Sequence, residues 1–351
     1  MSFVIGRGAD LEDGPVGHLG SYRALDGSTG ADLHFDLDGP HAMLIVGKRG
    51  YGKSFTLGVV AEALSRAPGV SPVLIDPMGV FETLEAPTER GTVSATVLER
   101  PTVDPGVLDP KSWCALLGLS PESGAGGLLW RGAQETETID EMHDHIEQAD
   151  APRSDVRAAN NHLGLASSWG IFDTDGITPA DLAGPDVTVI DVSGTDSAPM
   201  NAVCRAVAEA LYSARVTGSI DRLPWLLIDE AHTFFDGVAA PALETILTRG
   251  RAPGVSLVSA TQRPSSVPDV GISQSDIIVS HRLTSRTDLE ALERAQPTYV
   301  NATLEERMPE APGEVIVIDD ATETTHAARI RSRETPHGGD SPRASHVFPE
   351  N

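Results

Sequence analysis

The sequence predicts an α/β fold with a mainly parallel central sheet, a helical insertion and a C-terminal β-hairpin. Three observations carry that prediction. Ala42-Met43-Leu44-Ile45-Val46 is a short apolar run that passes into a glycine-rich turn and then into a helical repeat. Trp225-Leu226-Leu227-Ile228 is a second apolar run, and it ends in Asp229-Glu230. Residues 187–192, 255–260 and 276–280 are further short runs, with apolar-striped helical patterns between several of them.

Residues 1–40 are rich in Gly and Asp and read as a β-rich lead-in. Phe3-Val4-Ile5 and Leu33-His34-Phe35-Asp36-Leu37 are its candidate strands, forming an edge that leads into the core rather than an independent domain. The first part of the core spans 41–110. Within it, Gly47, Gly52, Lys53 and Ser54 fit the spacing G-x-x-x-x-G-K-[ST]. Glycines let backbone N–H groups curl around a phosphate. Lys53 brings a point charge to the β- and γ-phosphates, and Ser54 a hydroxyl for Mg²⁺. Leu57, Val60, Ala61 and Leu64 then repeat at helical spacing, so a helix aims its positive end at the same anion. A glycine turn with an incidental lysine would explain the glycines but not strand, loop and helix in that order. Val73-Leu74-Ile75-Asp76 is the next strand, and Pro77 starts the turn after it. Open α/β sheets bind ligands at the carboxyl ends of their strands, so Asp76 is read either as a neighbour of the site or as a turn cap.

Val93-Ser94-Ala95-Thr96-Val97-Leu98 reads as another strand. Residues 111–185 then read as a helical insertion. Trp113, Cys114, Leu116 and Leu117 predict a short helix, and Gly124, Gly126 and Gly127 predict a break after it. Residues 134–168 are polar, acidic and weakly helical in pattern. His143 and His145 lie there among Glu137, Asp140, Glu141, Asp144 and Glu147. These are metal-ligand types, but they crowd one helix without a three-ligand pattern, so a solvated face is the expectation.

The second part of the core spans 186–333. Asp196 or Ser197 is a candidate cap for a helix striped by Val203, Val207, Ala210 and Leu211. Pro224 is read as the end of the next loop. Asp229 and Glu230 then stand at the tip of a central strand, beside the phosphate loop. There Asp229 would hold the Mg²⁺ shell through water, and Glu230 would orient or deprotonate an attacking water. That pairing makes hydrolysis, rather than binding alone, the expectation. His232 is read either as a relay or as a capped loop histidine. Leu243, Ile246 and Leu247 predict a helix ending near Arg249-Gly250-Arg251. The strand at 255–260 ends in Thr261-Gln262-Arg263-Pro264, where the Gln262 amide could bond the γ-phosphate or the water, or simply close the loop. Arg282 and Arg286, after the strand at 276–280, are candidates for phosphate contacts within the chain or to a neighbour. Residues 314–319 and 325–331 read as a hairpin, and 334–351 as a flexible tail or docking strap.

Composition narrows the class. The chain has 51 acidic against 26 basic residues, a formal net charge of −25, and Lys48, Lys53 and Lys111 as its lysines. Acid spread along the chain with lysine nearly absent points to a very salty cytoplasm, where counter-ions relieve self-repulsion, rather than to an ordinary acidic protein with an acidic partner-binding face. The balance does not advertise nucleic-acid binding, although a locally basic pore on an acidic shell remains compatible with it. No run is long enough to span a bilayer and no leader is evident, so a cytoplasmic protein is the default. Cys114 and Cys204 fall in no metal-ligand motif and no disulfide framework.

Together the P-loop, Leu226-Leu227-Ile228-Asp229-Glu230-Ala231-His232, Arg249-Gly250-Arg251 and Ser259-Ala260-Thr261-Gln262-Arg263-Pro264 resemble the HerA/FtsK group of P-loop ATPases, with HerA nearer. Asp76-Pro77-Met78-Gly79 also resembles that family's segment after the second strand. The resemblance covers roughly residues 40–334, and Thr-Gln-Arg-Pro after Asp-Glu is its most specific part. It implies a RecA-like core, ATP and Mg²⁺, a homo-oligomeric ring that is hexameric in the family, and double-stranded DNA in the central hole. Carried over, Gly47, Gly50, Gly52, Lys53, Ser54 and Phe55 bind nucleotide, and Ser54 and Asp229 serve the metal. Glu230 is the catalytic glutamate, Gln262 the γ-phosphate sensor, Arg282 a nucleotide-probing arginine and Arg251 a basic residue at the subunit boundary. HerA proteins usually carry a β-barrel before the P-loop. The lead-in here has no room for a full one, which leaves the docking of a partner nuclease open. The other readings are a secretion, pilus or virus-packaging motor, or a nucleotide-gated interaction protein.

Overall fold

The computed structural model describes residues 4–8, 14–24, 27–87, 93–294 and 307–338. The chain opens with β1 (Val4–Ile5), β2 (Val16–Arg23) and β3 (Thr29–Asp36). Phe3, expected in the first strand, lies outside the described residues. β4 (Ala42–Val46) leads through the glycine turn into α1 (Lys53–Leu64), followed by β5 (Val70–Asp76) and β6 (Ala95–Glu99). The insertion supplies α2 (Pro110–Leu116), α3 (Gly124–Glu135), α4 (Ile139–Glu147) and α5 (Arg153–Ser168). The core resumes with β7 (Val187–Asp191), α6 (Ser197–Thr217), β8 (Leu223–Ile228), α7 (His232–Phe235) and α8 (Ala240–Arg249). It closes with β9 (Ser256–Thr261), α9 (Asp269–Ser273), β10 (Ile277–Ser280), α10 (Arg286–Arg294) and the hairpin β11 (Glu314–Asp319) and β12 (Thr324–Ile330).

Among the described residues, the strands join one 12-stranded sheet in the order β1-β3-β2-β12-β11-β10-β4-β9-β8-β5-β7-β6. From β10 to β6 every pairing is parallel. From β10 through β11, β12 and β2 to β3 every pairing is antiparallel. The parallel strands are apolar on both sides because helices cover both faces. Leu44, Val46, Ile75, Ile190, Leu226 and Ile228 face one buried cluster, beneath the insertion, α6 and α8. Met43, Ile45, Leu74, Val189, Leu227 and Val258 face the other, beneath α1. Each fully buried Leu or Ile among them contributes roughly 1.5–3 kcal/mol relative to exposure. α1 is buried from Thr56 through Ala61 without a break, which explains why its sequence is apolar nearly all round.

Three local readings change. β2 was not anticipated, since Val-Gly-His-Leu-Gly-Ser-Tyr-Arg lacks clean alternation. Its position is set by pairing with β3 and β12, and a Cβ on Gly20 would come within 2.0 Å of the Arg329 carbonyl oxygen. Gly124, Gly126 and Gly127 do not break the chain but form the first turn of α3, capped by Ser123 Oγ accepting from the Gly126 N–H at 3.0 Å. Glycine is needed there because a Cβ on Gly126 would meet the Ser120 carbonyl oxygen at 1.9 Å. Pro224 lies inside β8, opposite Ser71, near the start of the strand where a missing N–H costs least.

Elsewhere, His143 Nδ1 lies 2.9 Å from Asn160 Oδ1, and His145 Nδ1 lies 3.9 Å from Glu135 Oε2. Cys114 and Cys204 are buried free thiols. At the amino end of β4, His41 bridges Asp276 at 2.7 Å and Asp36 at 3.1 Å. Burial opposes charge on His41, but those hydrogen bonds outweigh it and hold the imidazolium up to about 9. Among the described residues, no helix is long and apolar enough to cross a membrane.

After β12 the chain turns across α1. Glu62, in the last turn of that helix, is fully buried. Its Oε1 accepts from the Glu334 and Thr335 N–H groups, both at 2.9 Å, and from Thr335 Oγ1 at 2.7 Å. Its Oε2 accepts from Arg331 at 2.7 Å. The Arg333 guanidinium lies over the Phe81 ring and against Gly58, where a Cβ would stand 2.7 Å from it. The segment expected as a tail is therefore fastened at its start, and residues 339–351 lie outside the described residues.

Candidate active site

Register decides what meets at the carboxyl edge of the sheet. Val46 is opposite both Thr261 and Ser280, Ile228 is opposite Ile75 and Ser259, and Asp76 is opposite Asp191. The residues that follow these strand ends, Gly47, Gln262, His281 and Asp229, therefore come out along one edge.

The loop from Gly47 to Gly52 folds back over that edge. A Cβ on Gly47 would meet His281 Cβ at 2.5 Å, so only glycine lets the two strands exit side by side. Gly52 has φ +108 and precedes Lys53 as the helix cap, with no side-chain hydrogen bond to the first turn. Helix N-terminal N–H groups have no intrahelical partner, so this end of α1 is open to an anion. Lys53 is 5% exposed. Its ammonium bonds the Lys48 carbonyl at 3.4 Å and makes no ion pair among the described residues. Burial lowers its pKa, against the raising effect of Glu230 and Asp229.

Opposite stands the β8 tip. Ser54 Oγ donates to Asp229 Oδ2 at 2.7 Å, joining α1 to β8 across 175 residues of sequence. Burial pushes the Asp229 carboxyl up to about 6, and Glu230 adds to that, while the Ser54 hydroxyl and Lys53 oppose it. Glu230 has φ +47, in the left-handed region that side chains rarely adopt. Its Oε2 is buried without a hydrogen bond, and His232 Nδ1 lies 3.4 Å away. Burial raises the Glu230 carboxyl, with Lys53, Arg49 and Arg263 pulling it back. The His232 pKa is lowered by burial and by Arg263 and Lys53, so the ring is held neutral beside Glu230. Asp76 fulfils both readings given to it. It caps a turn, accepting from the Met78 N–H at 3.0 Å and the Phe81 N–H at 2.8 Å, and burial with Asp229 and Asp191 nearby takes it to about 6.

Gly50, Gly52, Lys53, Ser54, Phe55, Asp229 and Glu230 line a single cavity of about 600 Å³. The other predicted residues lie outside its wall. Gly47 is buried at the start of the loop, and Gln262 is half-buried one residue past β9. The Arg282 guanidinium donates to the Pro309 carbonyl at 3.2 Å, while its own carbonyl accepts from the Lys48 N–H at 2.8 Å. Arg251 is exposed beyond the end of α8, and Arg286 is on the surface 3.8 Å from Glu290.

Sequence reasoning assigned no role to His281, which bonds Thr56 Oγ1 at 2.9 Å and is held neutral, near 3, by burial and Lys53. Its position directly after the strand paired with β4 was the available signal. Arg49, Arg331 and His337 also line the cavity. The last two come from the segment after β12, and no motif marks them.

The donor set fits a Mg²⁺-nucleotide. A buried ammonium that makes no ion pair among the described residues and an uncapped helix start suit phosphate, and a hydroxyl–carboxylate pair suits a hard cation.

No family model and no curated protein matches this sequence. Solved structures do match. VirB4 of Thermoanaerobacter pseudethanolicus aligns over 92% of this chain and 98% of its own, with a TM-score of 0.66 at 15% identity. The unbound bacterial conjugative coupling protein TrwB aligns over 90% of each chain, with a TM-score of 0.58 at 14% identity. Plasmid coupling protein TrwB in complex with ADP and Mg²⁺ aligns over 84% of this chain and 86% of its own, with a TM-score of 0.57 at 14% identity. With its mostly parallel sheet, its helices on both faces and its glycine loop between β4 and α1, the chain has the RecA-like P-loop NTPase fold.

Proposed function

We propose that this chain is a Mg²⁺-dependent ATPase motor of the HerA/FtsK type. The observation that carries the reading is the 2.7 Å bond between Ser54 and Asp229, which brings the phosphate loop and the strand-tip acids into one cavity. Mg²⁺ held by Ser54 and Asp229 would neutralise charge on the phosphates. Lys53 binds the terminal phosphates, and its low-dielectric surroundings strengthen that contact. Glu230 orients and deprotonates the water, with a buried oxygen that has no hydrogen-bond partner among the described residues. Gln262 senses the γ-phosphate from the neighbouring strand tip. An arginine of an adjacent copy completes the site, and the proposed donor is Arg251, which is exposed beyond α8. Hydrolysis then depends on a ring, hexameric by family resemblance.

The work of the ring is moving double-stranded DNA, within the cytoplasm. The likeness in fold to a conjugative coupling protein keeps a secretion or conjugation motor as the second reading. The discriminating experiment is the rate of phosphate release with and without linear duplex DNA, across salt, with ring size measured in the same buffers. A several-fold stimulation that fades as salt rises supports the DNA motor. An unstimulated rate in every buffer overturns it and favours the second reading.

A further inference from the structure

The cavity that holds Lys53 and Ser54 is also lined by Phe55, Met78, Ile330 and His337. Cavities of about 300–1,000 Å³ take whole small molecules, and this one is about 600 Å³. The part of the wall that carries the two rings is tied to α1. Phe55, Gly58 and Glu62 fall three and four residues apart on α1, hence on one stripe of the helix. The segment 331–338 is laid along that stripe: Thr335 is fastened to buried Glu62, Arg333 fits over Gly58, and His337 reaches Phe55. The Phe55 and His337 rings meet edge to face, with centroids 5.6 Å apart at 72°.

We propose that this ring pair is the nucleobase subsite, and that the fastened segment after β12 exists to present it. The inference rests on the phosphate reading of Lys53 and Ser54. The base of a purine nucleotide stacks against Phe55 and His337 beside the apolar side chain of Ile330, while its phosphates occupy the loop. Neither ring touches reacting phosphorus, so their task is to place and select the substrate.

The test compares ATP with inorganic tripolyphosphate, which carries the same phosphates and no base. Both are titrated calorimetrically into the full chain with Mg²⁺ at high salt. His337→Ala and Phe55→Ala are expected to weaken ATP about tenfold each and to leave tripolyphosphate within about twofold. Should Phe55→Ala not fold, His337→Ala, on a half-buried residue near the end of the described chain, decides alone. Unchanged ATP affinity in His337→Ala, or equal weakening of both ligands, overturns the subsite. If the unaltered protein takes up neither ligand, the phosphate reading falls, and this one falls with it. If it takes up tripolyphosphate as tightly as ATP, the base subsite alone is overturned.

Discussion

Glu230 carries two unusual features at once, a left-handed backbone and an oxygen sealed from water without a hydrogen bond. Either would be costly in an ordinary loop, and such costs collect where a side chain has work to do. Glu230→Gln is therefore expected to keep ATP bound while phosphate release falls by about 10²–10⁴-fold, and Lys53→Ala to lose binding itself. Normal steady-state turnover by Glu230→Gln would remove the assignment. Asp229 gives a second handle, through pH. Its carboxyl stands at about 6 in the folded chain against 3.8 for the unfolded group. A raised folded value means that the associated stability is complete below 3.8 and is lost as pH climbs through about 6. Without nucleotide or metal, Asp229→Asn should thus melt higher than the parent near pH 7.5, and the gain should vanish below about pH 4. Nucleotide hydrolysis should be lost in the same variant. A lower melting temperature at pH 7.5 would contradict the account of the buried charge.

Among the elements, α1 joins the greatest number of separate tasks: phosphate loop at its start, sheet packing on one side, and the segment after β12 along another. Glu62 holds the last of these. Glu62→Ala strands the Arg331 and Arg333 guanidinium groups and frees two backbone N–H groups, which should cost roughly 3–5 kcal/mol in urea denaturation. Trypsin should then cut at Arg331 and Arg333 in the folded protein. Resistance equal to that of the parent would show that the segment is held by other contacts. The same element marks how far a sequence can be read. Strand, loop and helix at 42–64 were legible because the phosphate motif fixes local backbone chemistry, and Asp229-Glu230 because an apolar run ends in them. The Thr335–Glu62 contact spans 273 residues and has no local signature, so the part of the cavity wall made by Arg331, Ser332 and His337 was invisible. β2 was hidden for a related reason, since its partners rather than its own pattern make it a strand. Gly124–Gly127 misled because glycine marks close approach as readily as it marks a break.

Taken whole, the molecule carries far more carboxylate than its fold requires, with a net charge of −25. The acids that matter at the site are buried, so most of the excess lies on the surface, where it repels itself. Between about 0.1 M and about 1 M KCl the screening length falls from about 10 Å to about 3 Å. The melting temperature is expected to rise continuously over that range. A flat or falling curve would remove the reading of adaptation to salt.

Gly58 has a practical corollary. Its missing side chain leaves a trough on α1 that the Arg333 side chain fills, with the Glu62 carboxylate at the bottom. A recombinant form stopping after Ile330 would wet that trough and strand the carboxylate, so any shortened form should keep residues 331–335.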